Sequence, residues 1–253
     1  MCYTTVMDQK AFELYLERIR KSSPVTIHQY TANALPAIAR LLHTLGHQEI
    51  DSLYDIDSME ELQRIEQMLL SSPEFQRLND DGHRMYSAGL HRYMDFAQGK
   101  GFKELDDALS LMDEPCPVRQ KEYVHAGYRY NRDRIIVRQV LESEHFLCES
   151  NPEHQTFIAS SSRKPYMEGH HLIPISMQDE FSNSLDVYAN IVSLCPICHR
   201  LLHFGQKEDK KKMLVHLFDE RKDRLIDSGI HVGDKEFMEL TKEASLAGYG
   251  HLS

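Results

Sequence analysis

Apolar side chains recur every three or four positions through the first hundred residues, which is the spacing of one face of an α-helix. This pattern predicts four helices, over residues 8–21, 26–45, 58–69 and 81–98. Ser58 and Glu61 form a capping box at the start of the third helix, and Gly46 and Gly99 follow the second and fourth. Four amphipathic helices of this length predict a small bundle.

The pattern changes in the second half of the chain. Two extended, β-prone runs occur there, one continuing through Leu172-Ile173-Pro174 and one over residues 187–194, which Asn190 interrupts. Helical spacing follows the second run, so the simplest local topology is strand, loop, strand, helix. Further helices are predicted over residues 132–143, 208–226 and 235–247. The predicted fold class is therefore α+β, mostly α.

Length and breaker residues predict two domains. The chain has 253 residues, of which 41% are hydrophobic, enough for two modest cores. Residues 99–120 carry two glycines, two prolines and a run of acids. We predict a helical domain over residues 1–100, a linker over residues 101–120 and a second domain over residues 121–253.

Histidine spacing indicates a metal site in the second domain. His199 and His203 lie four residues apart, so on a helix both imidazoles point to one side. One histidine from elsewhere would complete a three-ligand site with open positions. His170 and His171 are adjacent in an extended run and should project to opposite sides, so that one binds the metal and the other faces a substrate as a base.

These residues, in this order and spacing, resemble the HNH endonuclease family over roughly residues 145–205. The resemblance implies a ββα-metal fold in which His170, His199 and His203 bind the metal, His171 is the general base, and Asn190 fixes the loop and the base. The fold implied for the whole chain is an N-terminal helical bundle followed by an HNH nuclease domain with flanking helices. Structural zinc-finger histidines or hydrogen-bonded core histidines are the alternative interpretation.

The resemblance also implies a reaction, metal-assisted hydrolysis of a phosphodiester. Neutral His171 would take a proton from water, and a divalent ion would stabilise charge on the scissile phosphate. The expected ion is Mg2+ or Mn2+, with Zn2+ or Ni2+ as alternatives. Asn190 could instead ligate the ion, or hold His171 by hydrogen bonds.

Cysteine spacing indicates a second, structural metal site. Cys195 and Cys198 form half of a zinc knuckle at the start of a helix. A related subset of HNH nucleases has a second Cys-x-x-Cys pair, whereas here only Cys148 is present. We predict a zinc site of Cys148, His154, Cys195 and Cys198; His145 in place of His154, or an incomplete knuckle, stays open.

The charge of the chain must be reconciled with a DNA substrate. The net charge is −10, and residues 1–120 carry 12 basic against 19 acidic side chains, whereas residues 121–253 carry 17 against 20. DNA binding depends on local basic patches rather than net charge. The candidate nucleic-acid contacts are Arg163, Lys164, Lys207 and Lys211, with Arg129, Arg132, Arg134, Arg138, Lys210 and Lys212 as further members of basic patches. Such a patch is more often an ordinary solvated surface than a phosphate contact.

Two segments of the N-terminal half, residues 23–30 and 86–96, resemble the core-binding helical domain of tyrosine recombinases, whose helices grip duplex DNA. The alternative is a plain bundle used for dimerisation, target recognition or contact with a partner. The acidity of this half argues against a broad phosphate-binding surface.

The sequence thus predicts a metal-dependent DNA endonuclease of the restriction or antiphage type. The alternatives are an HNH nuclease of a mobile element or one acting on RNA, and a zinc-stabilised DNA- or partner-binding protein with an inactive nuclease fold. One site cuts one strand, so a homodimer is expected. Five cysteines without a signal-like or membrane-spanning apolar run predict a cytoplasmic protein.

Overall fold

The computed structural model describes residues 3–105, 107–118, 121–124, 127–130, 134–160 and 162–247. The chain divides into two compact units, Met1–Leu105 and Asp106–Ser253. Within the described residues, no helix combines the length and apolarity needed to cross a lipid bilayer.

The first unit is helical, as predicted. Its α-helices are α1 Tyr3–Leu14, α2 Pro24–His28, α3 Leu35–Thr44, α4 Met59–Ser71, α5 Pro73–Asp81 and α6 Met85–Ala97. Wider π-helical turns continue α1 through Tyr15–Ile19 and join α2 to α3 through Gln29–Ala34. The predicted helices over residues 8–21 and 26–45 therefore correspond to these two composite segments.

Helix α5 was not predicted. Ser72 ends α4 and, together with Pro73, also starts α5. The Ser72 hydroxyl accepts a hydrogen bond from the backbone N–H of Phe75 at 3.2 Å, and Pro73 occupies the first helical position, where its missing N–H costs nothing.

Aromatic side chains fill the core of the first unit. The ring of Phe12 lies 5.3 Å from that of Tyr93 and 5.5 Å from that of Phe96. The buried hydroxyl of Tyr15 donates to the carbonyl of Lys100 at 2.8 Å, and burial raises the pKa of Tyr15 to about 12. These aromatic residues pack into the core, so they are not available as an exposed stacking surface.

The second unit combines two short antiparallel sheets with four helices among its described residues. Its elements are β1 Lys121–Val124, β2 Gly127–Tyr130, α7 Arg134–Ser143, β3 Glu168–His171, β4 Ile191–Leu194, α8 Pro196–Phe204, α9 Lys207–Asp227 and α10 Asp234–Ala247. Strand β1 pairs with β2. Strand β3 pairs with β4, which places His170 opposite Val192 and His171 opposite Ile191. The predicted order of strand, loop, strand and helix is confirmed.

The structure divides the chain differently from the predicted linker. Phe102 is buried in the first unit, whereas residues 107–118 pack into the second. There the carboxylate of Asp113 accepts hydrogen bonds from Arg224 at 2.5 and 3.1 Å, and the carbonyl of Cys116 accepts one from the N–H of Ser184 at 2.7 Å. The apolar side chains of Ala108, Leu109 and Met112 are buried in this segment.

Helix α9 packs against the core of the second unit. Leu217 and Phe218 are buried, and the Phe218 ring stacks on Phe237 of α10 at 4.1 Å. Arg221 of α9 is also buried and forms ion pairs with Glu149 and with Glu144. Strand β4 is buried along its whole length.

Candidate active site and metal centres

Three histidines converge where β3 meets α8. The ring of His170 lies 5.0 Å from that of His199 and 5.2 Å from that of His203, and the latter two rings are 4.8 Å apart. The Nε2 atoms of His199 and His203 are separated by 3.2 Å, and one nitrogen from each ring lies within 4.8 Å of the others. The pairing of β3 with β4, which leads directly into α8, brings the two sequence segments together.

A carboxylate orients one of these rings. Glu168 lies two residues before His170 on β3, and its carboxylate accepts a hydrogen bond from Nδ1 of His199. The Nε2 atom of His199 is therefore left facing the cluster. The hydroxyl of Tyr166 donates to the other oxygen of Glu168 at 3.2 Å. Burial and the charge of Glu168 raise the pKa of the Tyr166 phenol, so that it stays a donor. Sequence reasoning missed Glu168, although residues two apart on a strand share one face.

His171 lies in a different environment from the cluster. Its Nε2 atom is 2.8 Å from Oδ1 of Asp186, and the two side chains are 9% and 2% exposed. If Nε2 carries the proton donated to Asp186, Nδ1 has the lone pair that a general base needs. Asp186 was not predicted, because it lies in an irregular loop and belongs to no recognisable spacing.

Asn190 is fully buried and fixes the loop between β3 and β4. Its Oδ1 accepts from the N–H of Ile173 at 2.8 Å, and its Nδ2 donates to the carbonyls of Ile173 and Leu185 at 2.9 and 2.8 Å. Among the described residues, the contact to His171 is made by Asp186 rather than by Asn190. The expectation that Asn190 fixes the loop matches these contacts, whereas the expectation that it also holds the base does not.

A second group brings together Cys148, His154, Cys195 and Cys198, whose ligand atoms all lie within 4.8 Å of one another. Nδ1 of His154 is 3.6 Å from Sγ of Cys195 and 3.4 Å from Sγ of Cys198. The alternative ligand His145 is exposed and lies outside the group. These are the four residues predicted for the structural zinc.

The Cys3His donor set fits zinc by its chemistry. Burial raises the pKa of the Cys198 thiol to about 12, so thiolates need a cation to compensate their charge here. Cys195 also caps α8, since its Sγ accepts from the N–H of Cys198 at 3.4 Å. The knuckle therefore fixes the first turn of the helix that carries His199.

The HNH endonuclease family matches residues 151–205, the segment that holds His154 and all five predicted catalytic-site residues. The chain is also similar to the type IV methyl-directed restriction enzyme EcoKMcrA of Escherichia coli (strain K12), with 35% identity over 89 residues. That alignment spans 35% of this chain and only 29% of the restriction enzyme.

The residues that match the HNH family, 151–205, lie in the second unit. This match therefore does not support the resemblance of residues 23–30 and 86–96 to tyrosine recombinases, which stays a prediction.

The three imidazoles of the HNH segment fit a divalent transition metal. Three neutral nitrogen ligands leave open positions for substrate, as catalytic metal sites require. Imidazole donors suit Zn2+ or Ni2+ better than Mg2+, which prefers oxygen ligands. The three-histidine donor set thus favours Zn2+ or Ni2+ over Mg2+ or Mn2+, which were expected first.

The predicted nucleic-acid contacts lie on the surface around the HNH segment. Arg163, Lys164, Lys207 and Lys211 are exposed, and no ion pair to them is found among the described residues. Lys210 instead donates to the carbonyl of His203 at 2.7 Å. Arg132, predicted with them, and Cys2 lie outside the described residues.

Proposed function

We propose that this protein is a metal-dependent endonuclease that hydrolyses DNA phosphodiester bonds. The observation that carries the proposal is the three-histidine cluster at the junction of β3 and α8. The next residue of β3 after His170 is His171, which forms a buried pair with Asp186. The HNH family match supports the same reaction class.

The roles of the residues follow from their contacts. Asp186 holds the imidazole of His171 by its Nε2 atom, so that Nδ1 accepts a proton from the attacking water. His170, His199 and His203 would hold the metal, and Glu168 fixes the orientation of His199. Asn190 holds together the loop that carries Asp186. A divalent cation bound by the three histidines would compensate the charge that develops on the phosphate and on the leaving oxygen.

The proposed substrate is foreign or modified DNA. The similar Escherichia coli protein is named a methyl-directed restriction enzyme, and by analogy this chain would act in restriction or antiphage defence. The first unit would then recognise the target or bind a partner. The Cys3His group needs Cys148, Cys195 and Cys198 as reduced thiols, which fits a reducing cytoplasm, where restriction would take place.

A single phosphate-cleaving centre cuts one strand. We therefore propose that double-strand cleavage uses a homodimer. Sedimentation of the full chain with and without DNA tests this, since a monomer under both conditions contradicts it.

Plasmid hydrolysis by the purified full chain tests the proposed function. Mg2+, Mn2+, Ni2+ and Zn2+ are supplied in turn, on DNA from methylating and non-methylating hosts, beside the His171→Ala variant. Cleavage that is lost in His171→Ala supports the HNH reaction, and a difference between hosts supports modification-dependent restriction. No cleavage of DNA with any ion would contradict the proposal, and cleavage of RNA alone would replace its substrate.

A further inference from the structure

Along the chain, between His154 of the Cys3His group and strand β3, lies a short two-stranded hairpin of residues 157–160 and 162–166. We call it the 157–166 hairpin. The N–H of Tyr166 donates to the carbonyl of Phe157, and that of Ala159 to the carbonyl of Lys164, each at 2.9 Å. Ile158 pairs with Pro165 in an antiparallel bridge. The hairpin starts three residues after His154 of the Cys3His group and ends two residues before Glu168, so both of its ends are fixed.

The apolar side chains of this hairpin are exposed on both of its faces. Phe157 is 63% and Ile158 60% exposed, and neighbours in an extended segment point to opposite faces. The Phe157 ring stacks on Tyr166 at 4.8 Å with an angle of 17° between the rings. A short ribbon with large apolar side chains in solvent on both faces is typical of a binding element rather than of a core.

Unpaired cations lie at the turn of the hairpin. Arg163 and Lys164 are exposed, and neither has an ion-pair partner among the described residues. The backbone of Arg163 is left-handed, with a φ of 57°, as expected in a tight turn. The hairpin therefore combines an aromatic and an aliphatic side chain with two positive charges.

The hairpin is directly connected to the three-histidine cluster. Phe157 stacks on Tyr166, Tyr166 donates to Glu168, and Glu168 holds His199. A partner protein bound over the hairpin would lie beside the three-histidine cluster and hinder access of a substrate. A bound substrate, in contrast, can contact the hairpin and the cluster together and still be cleaved.

We propose that the 157–166 hairpin enters a groove of duplex DNA next to the scissile phosphate, with Phe157 on one face and Ile158 on the other against the bases on either side of the hairpin, and Arg163 and Lys164 on the backbone. This inference rests on the proposed function. The major groove of B-DNA admits a two-stranded ribbon, and proteins that bind the minor groove insert apolar side chains between base steps. The cations match the negative charge of the phosphates.

Fluorescence anisotropy with a 30-base-pair duplex tests the proposal, on the full chain with cleavage blocked by His171→Ala and at several salt concentrations. We expect Phe157→Ala with Ile158→Ala to weaken binding about tenfold or more at every salt concentration, since loss of the contact to one base pair has roughly that effect. Arg163→Gln with Lys164→Gln should instead lower the slope of log Kd against log salt by about 0.9 for each lost phosphate contact.

A matched control is Ile226→Ala, which removes an isoleucine that is 45% exposed on α9. It should bind as the parent does. A thermal melt of each variant shows that the fold is kept. In a series of duplexes with 2-aminopurine at successive positions, at least one should brighten on binding of the parent and not of Phe157→Ala.

Three results would overturn the inference. Equal DNA affinity of the parent and the Phe157→Ala, Ile158→Ala variant contradicts it while leaving the proposed function intact if the wild-type chain still cuts DNA. Loss of self-association in sedimentation, with DNA affinity unchanged, would assign the hairpin to contact between copies. A chain that neither binds nor cuts DNA contradicts both proposals.

Discussion

The Nε2 atom of His171 lies 2.8 Å from Oδ1 of Asp186, which is fifteen residues further along the chain. The two side chains meet because β3 ends at His171 and the following loop folds back against it. Asn190 holds that loop through the backbone of Ile173 and Leu185. The loop thus positions the group that fixes the tautomer of the proposed base.

Asp186→Asn should lower the rate of DNA cleavage about 10²- to 10⁴-fold. The asparagine keeps the shape but can donate its own N–H to His171, which would favour the wrong tautomer. Single-turnover cleavage measures the rate, and Ni2+ titration should show unchanged metal affinity. Since both residues act as a unit, Asp186→Asn with His171→Ala should be no slower than His171→Ala alone. A wild-type rate in Asp186→Asn would show that His171 and Asp186 are only a structural pair.

Glu168→Gln should weaken metal binding about 10- to 100-fold, because partners of metal-bound histidines contribute to affinity on that scale. Cleavage by this variant should recover at higher metal concentration, whereas cleavage by Asp186→Asn should not. Titration calorimetry with Ni2+ gives the affinity. Tyr166→Phe, which removes only the hydroxyl contact to Glu168, should have a smaller effect in the same direction. Loss of rate that metal does not restore would contradict this role.

The sequence predicted the residues whose type and spacing carry the chemistry, and it missed those that depend on how a loop folds. His199 and His203 share a helix face, so their convergence followed from spacing. Asp186 reaches His171 only through the folding of an irregular loop, which no periodicity encodes. Helix α5 was missed because Ser72 and Pro73 end one helix and start another. His154 was predicted because it lies six residues after Cys148, where it could replace the missing second thiolate, and His145 was the alternative.

His154→Ala should lose the structural zinc, and His145→Ala should not. His154 approaches the thiols of Cys195 and Cys198, whereas His145 is exposed outside the group. Structural zinc contributes about 10–16 kcal/mol to folding in small domains, so the variant should also melt at lower temperature. Zinc per chain is counted in a His199→Ala, His203→Ala background, so that the other site adds none. Zinc retained by His154→Ala and lost by His145→Ala would reverse the assignment.

Gly169→Ala should destabilise the second unit by about 1–3 kcal/mol through overpacking. A Cβ atom at residue 169 would lie 2.5 Å from Cγ1 of Val137 on α7, and the branched valine cannot rotate away freely. The measurement is urea unfolding followed by circular dichroism. Val137→Ala in the same chain removes the clashing methyl group and should restore part of the loss. Equal destabilisation with and without Val137→Ala would show that the contact with α7 is not the cause.

Asn190→Ala should destabilise the second unit by about 3–5 kcal/mol, because three buried hydrogen bonds are lost and the backbone groups of Ile173 and Leu185 are left without partners. Asn190→Asp separates this role from metal binding. An aspartate keeps the acceptor for the N–H of Ile173 but loses both donors, so it should destabilise the fold as well.

An asparagine that ligates the metal would behave differently on substitution by aspartate, since a carboxylate would bind the ion at least as well. Unchanged stability and tighter Ni2+ binding in Asn190→Asp would therefore make Asn190 a ligand, whereas loss of stability with unchanged metal affinity would make it the residue that holds the loop carrying Asp186.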